Sequence, residues 1–417
     1  MKILRLPTYY FPENISSSHL SGDLQEAYVN AGFEIEAYAP TPTRGITDEV
    51  REQYKKIKYE EFYAGKIKLH RFNMRREGKN PIGRALRYFA INRKHYRCGK
   101  KAEGIDLVMC SSTPPTQGML CAKVAKKLSK KYGRKVPFIF TLQDIFPDSL
   151  VNAKMTKKGS LIWKIGRKIE DYTYRNADKI IVISEDFKRN IMEKGVPEDK
   201  IIIIPNWVNT ENVYPVARED NVLFERYGLD PSRYYICYSG NIGHSQNMKM
   251  LLSVAKQLAT ELPDLTFVLI GEGAAVDEVK STIENEGIRN VVMLPFQPYE
   301  EISHVFSLGD AGLIISKSGV GGSSVPSKTF SIMAAERPVL ASFDDTSALS
   351  SLIRESGCGV ASQANDPEAF KSAIKKLYND RASASEMGKR GRAYLLENLN
   401  KDKCVGAYID TINSVVK

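Results

Sequence analysis

Val325-Pro326-Ser327-Lys328-Thr329-Phe330-Ser331-Ile332-Met333-Ala334-Ala335, running into Pro338-Val339-Leu340-Ala341, follows a glycine-rich turn, Ser318-Gly319-Val320-Gly321-Gly322-Ser323-Ser324. The order is loop, amphipathic helix, then an apolar strand opened by proline. A loop feeding a helix N-terminus presents unpaired N–H groups and the positive end of the helix dipole, which suits an anion. Lys328 adds a full positive charge in the first turn, where acidic residues are usual. The pair of features suggests a diphosphate, against the plainer reading of an ordinary loop–helix–strand connection.

Working outward, strands and helices alternate on both sides of this stretch. Apolar strands are expected at Lys2–Leu6, Glu34–Tyr38, Leu107–Cys110, Phe138–Leu142, Lys179–Ile183 and Lys200–Ile204, with helical patterns at His19–Asn30 and Gly118–Lys131. Gly32 and Gly133 fall where helices end. From Pro205-Asn206-Trp207-Val208 to about Asp220 the chain is polar and irregular and reads as a linker. A second series follows at Tyr235–Tyr238, Thr266–Ile270, Val291–Leu294, Gly312–Ile315 and Val339–Ala341. Two such series make an α/β chain of two doubly wound domains, whose ligands sit beyond the carboxyl ends of the strands. Tyr238-Ser239-Gly240-Asn241-Ile242-Gly243-His244, Gly271-Glu272-Gly273 and Leu294-Pro295-Phe296-Gln297-Pro298 occupy those places, and with residues 318–328 are expected to surround one crevice.

With 417 residues the chain is too long for one core. Its 42% apolar and 26% charged content is that of a globular protein rather than a disordered or membrane-spanning one. No apolar run approaches the roughly 18 residues of a transmembrane helix, and the N-terminus lacks a signal-peptide pattern. The 6 cysteines (Cys98, Cys110, Cys121, Cys237, Cys358, Cys404) show no metal-ligand spacing, so a cytoplasmic protein with reduced thiols is expected.

A net charge of +11 is concentrated in two clusters. One comprises Arg84, Arg87, Arg93, Lys94, Arg97, Lys100 and Lys101. The other, Lys154, Lys157, Lys158, Lys164, Arg167 and Lys168, is interleaved with Leu161, Ile162, Trp163, Ile165 and Ile169. A helix there has a basic rim beside an apolar face. That pattern suits either an anionic membrane surface or a core-facing helix with a solvated side. No nucleic-acid-binding signature accompanies it.

These segments together resemble the GT-B glycosyltransferases of glycosyltransferase family 4 over essentially the whole length, and most nearly the bacterial O-antigen and capsule amino-sugar (fucosamine-type) transferase branch. The resemblance rests on Ser111-Ser112-Thr113-Pro114-Pro115 and Gln143-Asp144-Ile145-Phe146-Pro147-Asp148-Ser149 in the first half. In the second half it rests on Ser239-Gly240-Asn241-Ile242-Gly243, Gly271-Glu272-Gly273, Val325-Pro326-Ser327-Lys328 and Ser356-Gly357-Cys358-Gly359. It implies two Rossmann-like domains facing across a cleft: residues 1–205 on the acceptor side, residues 206–395 binding the nucleotide sugar, and a C-terminal helix, 396–417, returning to the first domain.

The resemblance further implies retaining sugar transfer from a UDP-linked nucleotide-diphosphate donor, with no metal and no cofactor beyond that substrate. The donor would contact Gly240, Asn241, Gln246, Glu272, Phe296, Pro298, Gly322, Ser323, Ser327, Lys328, Thr329 and Ser331. A polyprenyl-diphosphate-linked saccharide would be the acceptor, met by Ser17, His19 and Gln143 at the inner face of the cytoplasmic membrane. Asp144 would orient the acceptor hydroxyl or assist its deprotonation, or else cap the following turn. His19 has the same two readings, acceptor contact or helix opening. Asp148 reads as a structural cap.

Some positions depart from the family pattern. Asn241 and Gln246 stand where many members carry an Arg and a Lys, Ser323 and Ser331 where they carry a glutamate pair, and Glu336 where a small residue is usual. Two other classes therefore stay open: a nucleotide-sugar epimerase or hydrolase on the same fold, and a non-catalytic nucleotide-sugar-binding partner.

Overall fold

The structure, a computed structural model, describes residues 1–13, 18–78, 80–152, 156–319 and 326–416; the side chains of residues 18, 19, 81, 82 and 152 are also outside the description. The chain divides into two compact units, Met1–Pro205 with Cys404–Lys417, and Asn206–Lys403.

Among the described residues the first unit holds an 8-stranded sheet of β1 (Lys2–Arg5), β2 (Glu34–Pro40), β3 (Tyr59–Phe62), β4 (Ile67–Phe72), β5 (Leu107–Ser111), β6 (Phe138–Leu142), β7 (Lys179–Val182) and β8 (Ile201–Ile203), in the order β3-β4-β2-β1-β5-β6-β7-β8. Every pairing is parallel except β3 with β4. Crossover helices cover the faces, which is why β6, Phe-Ile-Phe-Thr-Leu, is buried along its whole length. The second unit holds a 6-stranded sheet of β9 (Tyr234–Ser239), β10 (Leu265–Ile270), β11 (Val291–Leu294), β12 (Ala311–Ile315), β13 (Val339–Phe343) and β14 (Gly359–Gln363), in the order β11-β10-β9-β12-β13-β14 and parallel throughout. The order runs outward in both directions from β9 and β12. The crevice between their carboxyl ends is therefore the topological switch point, where ligands bind in open α/β sheets.

Two Rossmann-like units with parallel sheets are what the alternating pattern predicts, with differences in detail. The hairpin β3–β4 and strand β14 are additional to the expected strands. The stretch read as a linker is packed: Trp207, Val208 and Val213 are 2%, 6% and 1% exposed, and the Tyr214 and Val216 amides donate to the Ser303 and Ser307 hydroxyls. In the first unit, helix Lys401–Val415 places Tyr408 at 2% exposure, with its hydroxyl hydrogen-bonded to the Thr141 and Gln143 side chains.

Helix Leu161–Asn176 is amphipathic, but it presents Gly166, Glu170, Thr173 and Tyr174 to the interior. Leu161, Ile162 and Ile165 remain 74%, 58% and 51% exposed, so the apolar residues of the sequence pattern are not the core face. Helix Pro81–Gly99 likewise leaves Leu86 and Phe89 exposed at 66% and 70% while burying Arg87. Both helices pack against helix Gln117–Tyr132.

Two local features yield stability predictions. His95 is fully buried, edge-on to Phe72 at 5.3 Å, and burial pulls its pKa from 6.5 to about 3 against a weaker opposing effect of the Tyr38 backbone. Across that window the unfolded chain binds a proton that the folded chain refuses, so stability falls as pH drops below 6.5. The expected slope is at most about 1.4 kcal/mol per pH unit from this residue. Urea melts between neutral and mildly acid pH should show it, and His95→Gln should flatten it. Glu336 adopts φ 58 just before β13, a left-handed conformation that a side chain disfavours. Glu336→Gly should therefore raise stability by about 1 kcal/mol, read as an increase in denaturation midpoint without a change in slope.

Candidate nucleotide-sugar site

At the switch point the loops after β9, β10 and β12 are joined by backbone contacts. The Gly240 amide donates to the Ile270 carbonyl at 2.9 Å, the Ile242 amide to Glu272 at 2.8 Å, the Ala275 amide to Ile242 at 3.0 Å, and the Lys317 amide to Ser245 at 2.9 Å. The approach is so close that a Cβ on Gly271 would lie 1.9 Å from the Gly240 carbonyl oxygen. Gly240 and Gly271 have φ of 136 and 149, which only glycine adopts without strain.

Helix Lys328–Ala334 starts beside this junction and is held against β12, where a Cβ on Gly312 would meet Ile332 at 2.5 Å. It is 7 residues long, so its dipole is short and the positive charge at its start belongs mainly to Lys328. The Lys328 Nζ stands 3.7 Å from the centroid of the Tyr238 ring, and a Cβ on Gly240 would come within 2.8 Å of that nitrogen. Tyr238, at the end of β9, is fully buried, and its hydroxyl donates to the Asn241 carbonyl at 2.6 Å. One aromatic side chain thus braces the loop and offers its electron-rich face to the amine. Desolvation lowers the Lys328 pKa from 10.5 to about 7. No carboxylate among the described residues forms an ion pair with it. A mostly buried amine with no anionic partner, on glycine loops that admit a ligand's close approach, is chemically fitted to a phosphate.

The structure brings Gly240, Asn241, Gln246, Glu272 and Lys328 together, with Ser331 one turn on along the same helix face as Lys328. Gln246 Oε1 accepts from the Gly243 amide at 3.1 Å, so this side chain shapes the loop. Thr329 is a correction: it is 0% exposed and its hydroxyl donates to the Pro326 carbonyl at 2.7 Å, fixing the turn rather than facing a ligand. Ser327 is exposed at the helix start and makes no side-chain cap. Phe296 and Pro298 are exposed on the loop after β11, on the far side of β10. That loop is tied by Gln297 to Tyr227, at 2.8 Å. Gly322, Ser323 and Ser17 lie outside the described residues, as does the side chain of His19, whose backbone belongs to helix Ser18–Asn30.

In the first unit the Gln143 and Asp144 amides both donate to the Ser112 hydroxyl, at 3.1 Å each, pinning the loop after β6 to that after β5. Asp144 is exposed, yet neighbouring protein atoms desolvate its carboxyl and raise its pKa; hydrogen bonds with Ser149 and the Ile145 amide oppose this. It therefore ties its own turn while keeping an open face. Gln143 is engaged with Tyr408. Asp148 opens helix Asp148–Asn152 and pairs with Lys194 at 2.7 Å, as a structural residue would. Tyr238 was missed in sequence because an aromatic at the end of an apolar strand reads as core.

Residues 22–212 match the family described as Glycosyltransferase Family 4, and residues 220–394 match Glycosyl transferases group 1. The chain belongs to the GT-B glycosyltransferases. Among curated relatives, it is 28% identical over 271 residues to "Probable glycosyltransferase WbjE" of Pseudomonas aeruginosa, covering 65% of this chain and 66% of that one. It is 27% identical over 219 residues to "Putative colanic acid biosynthesis glycosyl transferase WcaI" of Escherichia coli K12, covering 52% and 53%. These matches thus span between about half and two thirds of either relative's length. Among solved structures, sucrose-phosphate synthase from Thermosynechococcus elongatus superposes with a TM-score of 0.77 at 14% identity, covering 99% of this chain and 98% of that one. Anabaena HepE, in complex with UDP and glucose, gives 0.73 at 14% identity with 100% of both chains covered. At such identity these two establish the GT-B fold alone.

Proposed function

We propose that this GT-B chain is a retaining, metal-independent glycosyltransferase in surface polysaccharide biosynthesis. It takes an N-acetylated hexosamine or deoxyaminosugar from a UDP-linked donor on its second unit and delivers it to a polyprenyl-diphosphate-linked saccharide on its first. The observation that carries the reading is Lys328, seated on Tyr238 beside Gly240. As the bond between the anomeric carbon and the diphosphate breaks, negative charge grows on the leaving group. A preorganised cation in a desolvated site stabilises that charge. The colanic acid biosynthesis named for the Escherichia relative supports the biosynthetic setting, and the UDP held by HepE supports the donor class. Phe296, exposed beyond β11, is assigned to the base, Ser331 to donor hydroxyls, and Asp144 to the acceptor hydroxyl.

Exposed Leu161, Ile162, Ile165, Leu86 and Phe89 share their helices with Lys164, Lys168, Arg93 and Lys94. In a parallel α/β unit, crossover helices begin near the carboxyl edge of the sheet, which puts both patches towards that edge. Apolar side chains ringed by lysine and arginine suit the anionic inner face of a membrane, where a lipid-linked acceptor is found. No helix among the described residues is long and apolar enough to cross one.

The test is a thermal-shift screen of nucleotide sugars followed by transfer assays on lipid-linked acceptors. UDP-sugars should stabilise the protein by about 2.7 kcal/mol at a hundredfold excess over Kd. Turnover without acceptor would instead favour the epimerase or hydrolase reading. Binding with no turnover on any acceptor would favour the non-catalytic partner.

A further inference from the structure

The first unit contains a cavity of about 340 Å³ beyond the end of β1, within the range of small-ligand sites. Its walls are aromatic: Tyr9, Tyr10, Phe11, Phe62 and Tyr63. The rings are set at angles to one another, with Phe11 edge-on to Phe62 at 6.3 Å and Tyr10 tilted at 6.5 Å from the same ring. Such walls present flat apolar faces, with the Tyr9 hydroxyl already engaged by Glu77 and Tyr88 and that of Tyr10 by Gln25.

Two charged residues line this cavity, and they differ in one respect. Glu13 is satisfied: it accepts from the Thr43 amide at 2.6 Å, the Arg44 amide at 3.0 Å and the Tyr10 amide at 3.1 Å. The Arg5 side chain makes no ion pair or hydrogen bond among the described residues, and its Nη1 is buried without a partner. A buried guanidinium nitrogen with nothing to donate to is costly unless a ligand completes it. The surroundings are no less positive. Behind Tyr9, whose ring lies under Arg44 at 4.3 Å, the arginines Arg44, Arg84 and Arg87 share the single carboxylate of Glu77 at 2.6, 3.0 and 3.7 Å.

We infer that this slot binds a saccharide ring carrying an anionic substituent, a carboxylate or a phosphate, with the ring's apolar face on the aromatic walls and the anion on Arg5. The inference deepens the proposed function, on which it rests, by giving the acceptor's chemical class. An unmatched cation in a largely aromatic slot, whose other charge, Glu13, is already satisfied, discriminates against a neutral sugar, because the neutral ligand leaves the guanidinium nitrogen unpaired.

Calorimetric titration of the full chain with glucuronic acid, glucose 1-phosphate and glucose tests it. At least one of the anionic sugars should bind about tenfold or more tightly than glucose, the worth of one charge-assisted hydrogen bond. Which of the two does so identifies the anion. Arg5→Gln should bring that sugar to the level of glucose, Arg5→Lys should retain part of the preference, and Phe62→Ala should weaken all three alike. Equal binding of all three, no binding of any, or a preference surviving in Arg5→Gln overturns the inference. So does glucose 1-phosphate binding that Lys328→Met abolishes, since that signal belongs to the second unit. Thermal melts of each variant check folding. The two readings fail separately: stabilisation by UDP-sugars with a silent slot sinks this inference alone, whereas a working slot in a protein blind to every nucleotide sugar sinks the proposed function.

Discussion

Lys328→Met is expected to lower transfer activity by about 10²–10³-fold and to abolish stabilisation by nucleotide sugars, while leaving the folded protein intact. The magnitude is that of removing one preorganised stabiliser of developing negative charge. The fold should tolerate the change, because methionine keeps the length of the stem over Tyr238 and removes only an amine that is already costly to charge there. The pH dependences discriminate further. With its pKa lowered from 10.5 to about 7, the amine is uncharged in the free folded protein over that interval but charged in the unfolded chain. Unfolding then takes up a proton, so the stability of the free protein rises with pH across the window. Binding a diphosphate favours the charged amine, so donor affinity should fall over the same window, by up to about tenfold per pH unit. Stability and affinity thus move in opposite directions, and both slopes should vanish in the methionine variant. A nucleotide-sugar affinity that stays flat from neutral to alkaline pH would show that Lys328 does not meet the phosphates.

Gly271→Ala should destabilise the second unit by about 3 kcal/mol or more. Overpacking alone costs about 1–3 kcal/mol, and a positive φ adds strain. Here the obstacle 1.9 Å away is the Gly240 carbonyl, backbone that cannot rotate aside as a side chain does. The loop after β9 must shift, taking Gly240 away from Lys328, so activity should be lost even at temperatures where the variant remains folded. Gly287→Ala is the control: φ is 63, but a Cβ there meets nothing within 4 Å, so a cost of about 1 kcal/mol and unchanged donor binding are expected. Equal denaturation midpoints for the two variants would contradict the close approach of the β9 and β10 loops.

Which parts of this architecture are legible in the sequence follows from how each residue is stabilised. β6 and β10 are apolar except for Thr141 and Thr266 and buried throughout, because helices cover both faces, and they stand out in any reading. β4, Ile-Lys-Leu-His-Arg-Phe, alternates buried and half-exposed residues and resembles a polar surface segment. β14, Gly-Val-Ala-Ser-Gln, lies at an edge with small residues and carries little apolar signal. In helix Leu161–Asn176 the periodicity was readable, but not which stripe was buried. Glu170 is accommodated inside by Tyr174 at 2.6 Å and Lys194 at 3.0 Å, partners that no local pattern announces. The site divides in the same way. Glycines at strand ends and a lysine opening a helix are visible as a string of letters. The ring under that lysine becomes visible only once β9 and β12 are neighbours, and the unpaired Nη1 of Arg5 only once β1 is seated in its own sheet.

Residues 404–416 complete the first unit, although they follow the whole of the second in the chain. On a ribosome, β1 to β8 emerge early, but Cys404, Tyr408 and Ile412, each 3% exposed or less, are not yet available to cover them. At about 5–20 residues per second, the synthesis of Asn206–Lys403 imposes a delay of roughly ten to forty seconds. For that time the first unit is a nascent domain with an open seam along Tyr28, Thr141 and Gln143, and its closure waits on translation rather than on its own folding rate.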